Sequence, residues 1–349
     1  MSLRSLRPHL ALFALSCGAA LTACASLSGR PPQGADEAPP AEAAAAMKEV
    51  GEKAHGTIVW SSSRIGNHDL FTMKTDGSDV KQITSGDEVD WFPRFSPSGE
   101  QILFCRSKKG WVSERDANAS EKWDIYTVKP DGSEAKKVVD GASWGSWVSE
   151  DEILFVRGTK VYRQKLGSKE ETQLMDSEGV SELSGALLQQ PELSSDGKYL
   201  AVTLRGSKRE TGIWNIAKKT WTQTGLGCQV NWTPDHSAIY WVHPTGNGGS
   251  RVLRMPIENG TPPKDPDEDK LEFMDLPGRR SHEYFPQLSR DGKWLVWGIT
   301  QRGHDHDTAD YEIYLWEVGT PKEKAVRLTY NSANDRWPDI FIPGTGSTR

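Results

Sequence analysis

The stretch Asp90-Trp91-Phe92-Pro93-Arg94-Phe95-Ser96-Pro97-Ser98-Gly99-Glu100-Gln101-Ile102-Leu103-Phe104 holds two short apolar runs joined by a Ser/Pro/Gly turn. Runs of this length, bracketing residues that fix φ or tolerate positive φ, read as a β-hairpin. The phrase returns in Leu188–Leu200, with Pro191, Ser194, Asp196 and Gly197, and in Glu283–Trp297, with Pro286, Ser289, Asp291 and Gly292. Weaker copies run over Ser143–Phe155 and Gly227–Trp241, and a truncated sixth, Asp335–Ile342, lies near the C-terminus.

After each hairpin comes a further alternating strand, such as Trp123-Asp124-Ile125-Tyr126-Thr127-Val128, closed by its own Pro130-Asp131-Gly132 turn and followed by Lys137-Val138-Val139. Four-stranded units repeated at roughly 40–50 residues are the signature of a β-propeller, because one twisted sheet buries both faces only between two neighbours. Period-two alternation and the density of Asp-Gly turns exclude helical repeats. The first unit opens at Thr57-Ile58-Val59-Trp60, which reads as a second strand, and Asp335–Ile342 reads as a first strand with no partner after it. Joining the two removes two exposed sheet edges. The expected fold is therefore all-β, a six-bladed β-propeller closed by the C-terminal strand in the N-terminal blade.

The wording of the repeat resembles the TolB-type β-propeller family. The residues that carry the likeness are Asp90, Pro93 and Ser96; Pro191 with Ser194-Ser195-Asp196-Gly197; Pro286, Ser289 and Asp291-Gly292; and the strands Asp124-Ile125-Tyr126 and Glu312-Ile313-Tyr314. The resemblance covers residues 56–342 and implies a propeller without the α/β domain that precedes it in TolB.

The ends suggest an address. Arg4 and Arg7 precede an apolar Leu10–Leu15 segment that ends in Leu21-Thr22-Ala23-Cys24, the layout of a secretory signal and similar to a bacterial lipobox in which the cysteine is lipidated. The apolar core is too short to span a bilayer, which takes about 20 residues. The domain expectation is thus a signal peptide at 1–23, lipidation at Cys24, an Ala/Pro-rich tether at 24–55 with a helical turn at Ala41–Val50, the propeller at 56–342 and a flexible tail at 343–349. Ala25 after the cysteine points by the same resemblance to the outer membrane, facing the periplasm. With 48 acidic against 42 basic residues and a formal net charge of −6, the chain is a poor nucleic-acid ligand. Cys105 and Cys228 fall on opposite sides of the expected ring, beyond the roughly 7 Å Cα limit for a disulfide.

No Gly-x-Ser-x-Gly elbow, phosphate loop or Cys-based zinc spacing occurs in the sequence. Aligning the repeats places Asp90, Ser143, Leu188, Gly227, Glu283 and Asp335 at equivalent positions, so three acids stand on three adjacent blades at one channel mouth, with Arg94 and Arg336 the nearest bases in sequence. Loops carrying Asn67-His68-Asp69 and His304-Asp305-His306-Asp307 open on that face. The acids read either as turn caps, as ligands of a divalent cation centred on His304, Asp305, His306 and Asp307, or as a docking site for a basic partner. Trp91, Trp144, Tyr284 and Trp337 flank the same mouth, either packed into the channel or forming a platform for a sugar ring or a protein hot spot.

Two functions follow. The first is a non-catalytic, lipid-anchored, monomeric envelope module, with no cofactor, that binds a protein or glycan through Asp90, Trp91, Trp144, Glu283, Tyr284, Asp335 and Trp337. The second is a carbohydrate-active or metal-dependent enzyme using the acid and histidine sector.

Overall fold

A computed structural model describes residues 33–278 and 280–344. The expected signal segment, Cys24 and residues 345–349 lie outside them. Among the described residues, six four-stranded antiparallel sheets form the ring of a β-propeller. The inner strands, blade by blade, are Asp335–Phe341, Asp90–Phe95, Ser143–Trp147, Ala186–Leu193, Cys228–Trp232 and His282–Leu288. Blade 1 is the composite blade: Asp335–Phe341 pairs antiparallel with Thr57–Ser62, with Thr57 opposite Phe341 and Ser62 opposite Asp335.

The turn chemistry of the repeat is met as the sequence indicates. In blade 4 Ser194 Oγ donates to Asp196 Oδ1 (2.7 Å) and the Lys198 amide donates to the same oxygen (3.1 Å), an Asx-turn that sets up Gly197 at φ 70°. Blade 6 repeats this with Ser289, Asp291 and Gly292. Gly99 serves the same role in blade 2, and a Cβ there would come within 2.4 Å of the Phe341 ring across the closure.

Every inner strand carries a β-bulge at the same place. The residue before the motif proline or its equivalent has positive φ in all six blades: Trp337 (54°), Phe92 (56°), Trp144 (56°), Gln190 (53°), Gln229 (58°) and Phe285 (60°). The pairing register shifts at each of these points. A non-glycine residue in this region costs about 1–3 kcal/mol and persists only where its surroundings over-determine it. Here the bulge re-aims one side chain per blade toward the axis.

The residue after the motif position ties neighbouring blades together at several junctions. Asp339 Oδ2 accepts from the Phe95 amide (2.7 Å), Glu192 Oε2 from the Trp232 amide (2.7 Å), and Gln287 Nε2 donates to Asn231 Oδ1 (3.2 Å). The bulges free backbone amides from the sheet ladder, and neighbouring side chains satisfy them. Between blades the core is aromatic, with Trp60, Trp241 and Trp297 all buried. Cys105 and Cys228 are buried and unbridged.

The stretch expected as a tether differs in its described part. Ala41–Lys53 forms a helix, with Glu42 in its first turn and Lys53 in its last. Met47, Val50 and Ala54 pack against Trp294, Leu315 and Leu328 of blade 6 and Ile58, Phe71 and Ile340 of blade 1. The helical turn expected at Ala41–Val50 is a longer helix that is docked rather than free, because its apolar stripe at helical spacing is enough to bury one face despite the low overall apolar content. Upstream, Arg64 pairs with Asp36 (2.7 Å) and the Glu37 amide donates to Tyr330 O (2.6 Å). The segment is a clasp over the seam where blades 6 and 1 meet. Among the described residues no helix is long and apolar enough to cross a membrane.

Candidate functional site at the channel mouth

The six bulge residues divide the channel in two. Phe285, Trp337, Phe92 and Trp144 occupy four consecutive blades and pack against one another. Ring centroids lie 4.4 Å apart for Phe285 and Trp337, 5.0 Å for Phe92 and Trp337, and 5.1 Å for Phe92 and Trp144. Gln190 and Gln229 complete the circuit, and Gln229 Oε1 accepts from the Phe285 amide (2.6 Å). Above this layer lies a cavity of about 760 Å³, floored by Trp144, Trp337, Gln190 and Gln229 and walled by loops from blades 2, 4 and 6. That volume falls in the range of small-ligand and peptide-anchor sites.

The three aligned acids do stand at the same end of the inner strands of blades 6, 1 and 2, but each is turned into a blade rather than toward the others. Asp90 is held by Arg106 through bonds of 2.7 and 2.6 Å. Asp335 accepts from Trp60 Nε1 (2.9 Å) and Asn331 Nδ2 (2.9 Å) and pairs with Arg64 (3.2 Å). Glu283 accepts from Ser281 Oγ (2.7 Å) and the Leu276 amide (3.2 Å). The bases nearest in sequence are not the partners. Arg94 lies over the Phe92 ring at 4.0 Å, and Arg336 turns to the opposite blade edge. Alternation sends Arg336 to the face opposite its neighbour Asp335, and the bulge between Trp91 and Arg94 shifts the register that would otherwise place Arg94 on the face of Asp90.

Trp91, Trp144 and Trp337 are each at most 2% exposed. The packing alternative describes them: Trp91 sits edge-on to Trp144 at 4.5 Å, inside the wall. Only Trp144 and Trp337 reach the cavity floor. Tyr284 is half-buried and stacks on exposed His304, centroids 6.2 Å apart and nearly parallel.

The expected cation ligands are spread over separate tasks. Asp305 Oδ1 caps the Asp307 and Thr308 amides (both 3.1 Å), and its other oxygen pairs with Arg115. His306 Nδ1 bonds Glu114 Oε1 at 2.6 Å. Asp307 accepts from the Glu114 amide (3.1 Å), Ser113 Oγ (2.5 Å) and Arg336 Nη1 (2.9 Å). Among the described residues no group of three or more His, Cys, Asp or Glu side chains is placed to hold a metal ion. In this arrangement Asp305, His306 and Asp307 fasten the loop to blades 1 and 2.

Sequence reasoning passed over the groups that build this site. Glu114, on the long blade 2 loop, reaches across to bind Arg336 Nη1 (3.0 Å), Trp337 Nε1 (2.8 Å) and His306. Arg205 and Arg209 come from the blade 4 hairpin, which Gly206 turns at φ 77° and where a Cβ would meet Gly185 O at 2.6 Å. The residue before the motif proline was the available signal for the floor, aromatic in four of six copies.

Burial beside this mouth gives a pH signature. Asp69 is buried with Oδ1 lacking any hydrogen-bond partner, and desolvation, reinforced by neighbouring Asp90, pushes its carboxyl up to about 8. Burial likewise lifts Glu283 to about 7. Below the unfolded values of 3.8 and 4.5 both states are protonated. Above them the unfolded chain releases protons that the fold retains, so stability falls as pH climbs toward 8. Buried His68, lowered well below 6.5 first by desolvation and then by Arg336, acts in the opposite sense, but its contribution fades within about a unit above 6.5, where the unfolded imidazole loses its proton. From there to pH 8.5 the raised acids set the slope, Glu312 at about 8 among them. Allowing for solvent screening, a loss of about 1–2 kcal/mol is expected, or a Tm lower by about 3–5 °C. Asp69→Asn should remove part of that slope in a series of thermal melts, and Glu312→Gln, whose carboxyl burial also lifts to about 8, a comparable part. A parent Tm that rises over the same interval contradicts the assignment.

No protein-family model matches the chain. One curated relative, the uncharacterized protein Atu1656 of Agrobacterium fabrum, is 43% identical over 47 residues, which are 14% of this chain and 16% of that protein. The chain therefore spans about a sixth of that relative's length. Among solved structures it is similar to TolB from Acinetobacter baumannii, with TM-score 0.60 and 14% identity over 82% of this chain and 66% of that one. It is also similar to a protein assigned as TolB from Agrobacterium tumefaciens, with TM-score 0.51 and 12% identity over 81% of this chain and 98% of the other. At these identities the likeness is one of fold. The chain is built as a six-bladed β-propeller of the TolB type.

Proposed function

We propose that the protein is a non-catalytic interaction module of the bacterial cell envelope that docks a segment of another envelope protein in the cavity at its channel mouth. The observation that carries the reading is the cavity itself: a preformed concavity of about 760 Å³ with an aromatic floor, rimmed by loops from three blades. Rigid apolar floors under polar rims are what anchor residues of partners need. The docking reading is favoured over the enzyme alternative because Asp90, Asp305, Asp307 and His306 are engaged by protein partners. The TolB structures that share the fold and the signal-like N-terminus support an envelope address.

Lipidation at Cys24 would also hold the ring near the membrane. Gln33 O accepts from Ser332 Oγ (3.4 Å), and in the same loop Asn334 Nδ2 donates to His306 O (3.1 Å) at the cavity wall. Eight residues lie between Cys24 and Gln33, so an acyl anchor at Cys24 would keep this edge of the ring within about 30 Å of the membrane.

A photo-reactive amino acid placed at exposed His304, on the cavity rim, tests the docking site in intact cells. It should yield a protein adduct, while the same probe at Lys169, exposed on blade 3, should not. Equal adducts at both positions, or none at His304, would overturn the placement. Loss of membrane association in a Cys24→Ser variant checks the anchor separately.

A further inference from the structure

The cavity has a charge asymmetry that its individual pairs conceal. Its acidic wall is closed: Asp305 is taken by Arg115, Asp307 by Arg336 and the Glu114 amide, and Glu114 by His306, Arg336 and Trp337. The facing wall is not. Arg209 is exposed and makes no hydrogen bond or ion pair with the described residues. Arg205 donates from Nη1 to the carbonyls of Gly227 (2.9 Å) and Leu204 (3.3 Å), bonds that aim the guanidinium without neutralising it. Two uncompensated guanidinium groups on an otherwise acidic chain mark this wall for a negative partner. The floor has spare donors as well: Trp144 Nε1 and Gln229 Nε2 are buried with no acceptor among the described residues, a condition that buried polar groups rarely keep.

We infer that the cavity receives an acidic protein segment, a carboxylate side chain paired with Arg205 and Arg209 beside an apolar residue on the Trp144–Trp337 floor. The inference rests on the docking function proposed above and specifies the chemistry of what docks. Arginine suits the role because its planar fork meets a carboxylate through two parallel bonds. The three satisfied carboxylates opposite would repel an acidic segment entering in the reverse sense, which sets its direction.

The test uses blocked pentapeptides, Gly-Glu-Phe-Glu-Gly against Gly-Gln-Phe-Gln-Gly, titrated by calorimetry into the folded protein. The acidic peptide should bind about tenfold more tightly than its amide counterpart, with an advantage that shrinks as salt is raised. Arg209→Gln, whose side chain supports no other residue, should remove most of that advantage with Tm unchanged, and Arg205→Gln/Arg209→Gln should remove all of it. Equal binding of the two peptides, an advantage that survives the double substitution, or binding of glucuronate but not of the acidic peptide would each overturn the inference. The His304 cross-link separates the two layers of the argument. An adduct that persists in the double variant leaves the docking site standing and removes the acidic ligand, whereas no adduct in the parent removes the site itself.

Discussion

Removing Asp335–Arg349 is expected to abolish cooperative unfolding, whereas removing Pro343–Arg349 should leave the melting curve nearly intact. The longer deletion takes the inner strand from blade 1 and strips Thr57–Ser62 of its pairing partner. It also removes buried Trp337 and Ile340, the Asp339 bridge to the Phe95 amide, and the carboxylate that satisfies Trp60 Nε1. The two large side chains alone are worth about 5 kcal/mol, a large fraction of the roughly 5–15 kcal/mol that holds a domain folded. Equilibrium denaturation followed by tryptophan fluorescence and circular dichroism distinguishes the cases. A long truncation that still melts in one sharp transition at the parental temperature would show that the ring does not depend on its seam.

Arg336→Met should be the most damaging single substitution at the channel mouth. Arg336 is fully buried, and its Nη1 donates to Glu114 Oε2 (3.0 Å), Asp307 Oδ1 (2.9 Å) and His306 O (2.7 Å). Methionine fills the space but strands two buried carboxylates, and breaking such a pair from one side costs about 3–5 kcal/mol. For a domain of this size the Tm should fall by about 10 °C. Glu114→Gln and Asp307→Asn added to the same chain should recover at least half of the loss, since neutral amides no longer need the cation. A triple variant no more stable than Arg336→Met would mean that Arg336 acts through packing alone. Proteolysis within 303–308 should accelerate in the single variant and slow again in the triple, because that loop is what Arg336 and Glu114 pin.

The ring, its blade number and its closure were legible in the sequence because each depends on local, repeated chemistry. A hairpin turn states itself through Ser194, Asp196 and Gly197, or Ser289, Asp291 and Gly292, and five such statements in phase with a truncated sixth leave one architecture able to bury every sheet on both faces. The closing strand was legible for the same reason: Asp335–Phe341 is a first strand without a successor, and Thr57–Ser62 a second strand without a predecessor.

The site belongs to the tertiary structure. Which carboxylates are free and which are spent turns on partners far apart in the chain, as with Glu114 and Arg336 or Asp335 and Arg64, and no spacing rule links such pairs. Sequence proximity nominated Arg94 and Arg336 as partners of Asp90 and Asp335, yet alternation turns Arg336 away from Asp335 and the bulge between Trp91 and Arg94 turns Arg94 away from Asp90. The helical turn at Ala41–Val50 was legible but its docking was not, because Met47, Val50 and Ala54 become an apolar face only when blades 6 and 1 offer a seam to cover. The sequence by itself determined how strands pair within each blade, since turns and period-two patterning act over a few residues. Only closure of the ring decided which side chains the bulges carry to the axis and which guanidinium groups remain uncompensated there, because burial and charge pairing are properties of what meets across blades.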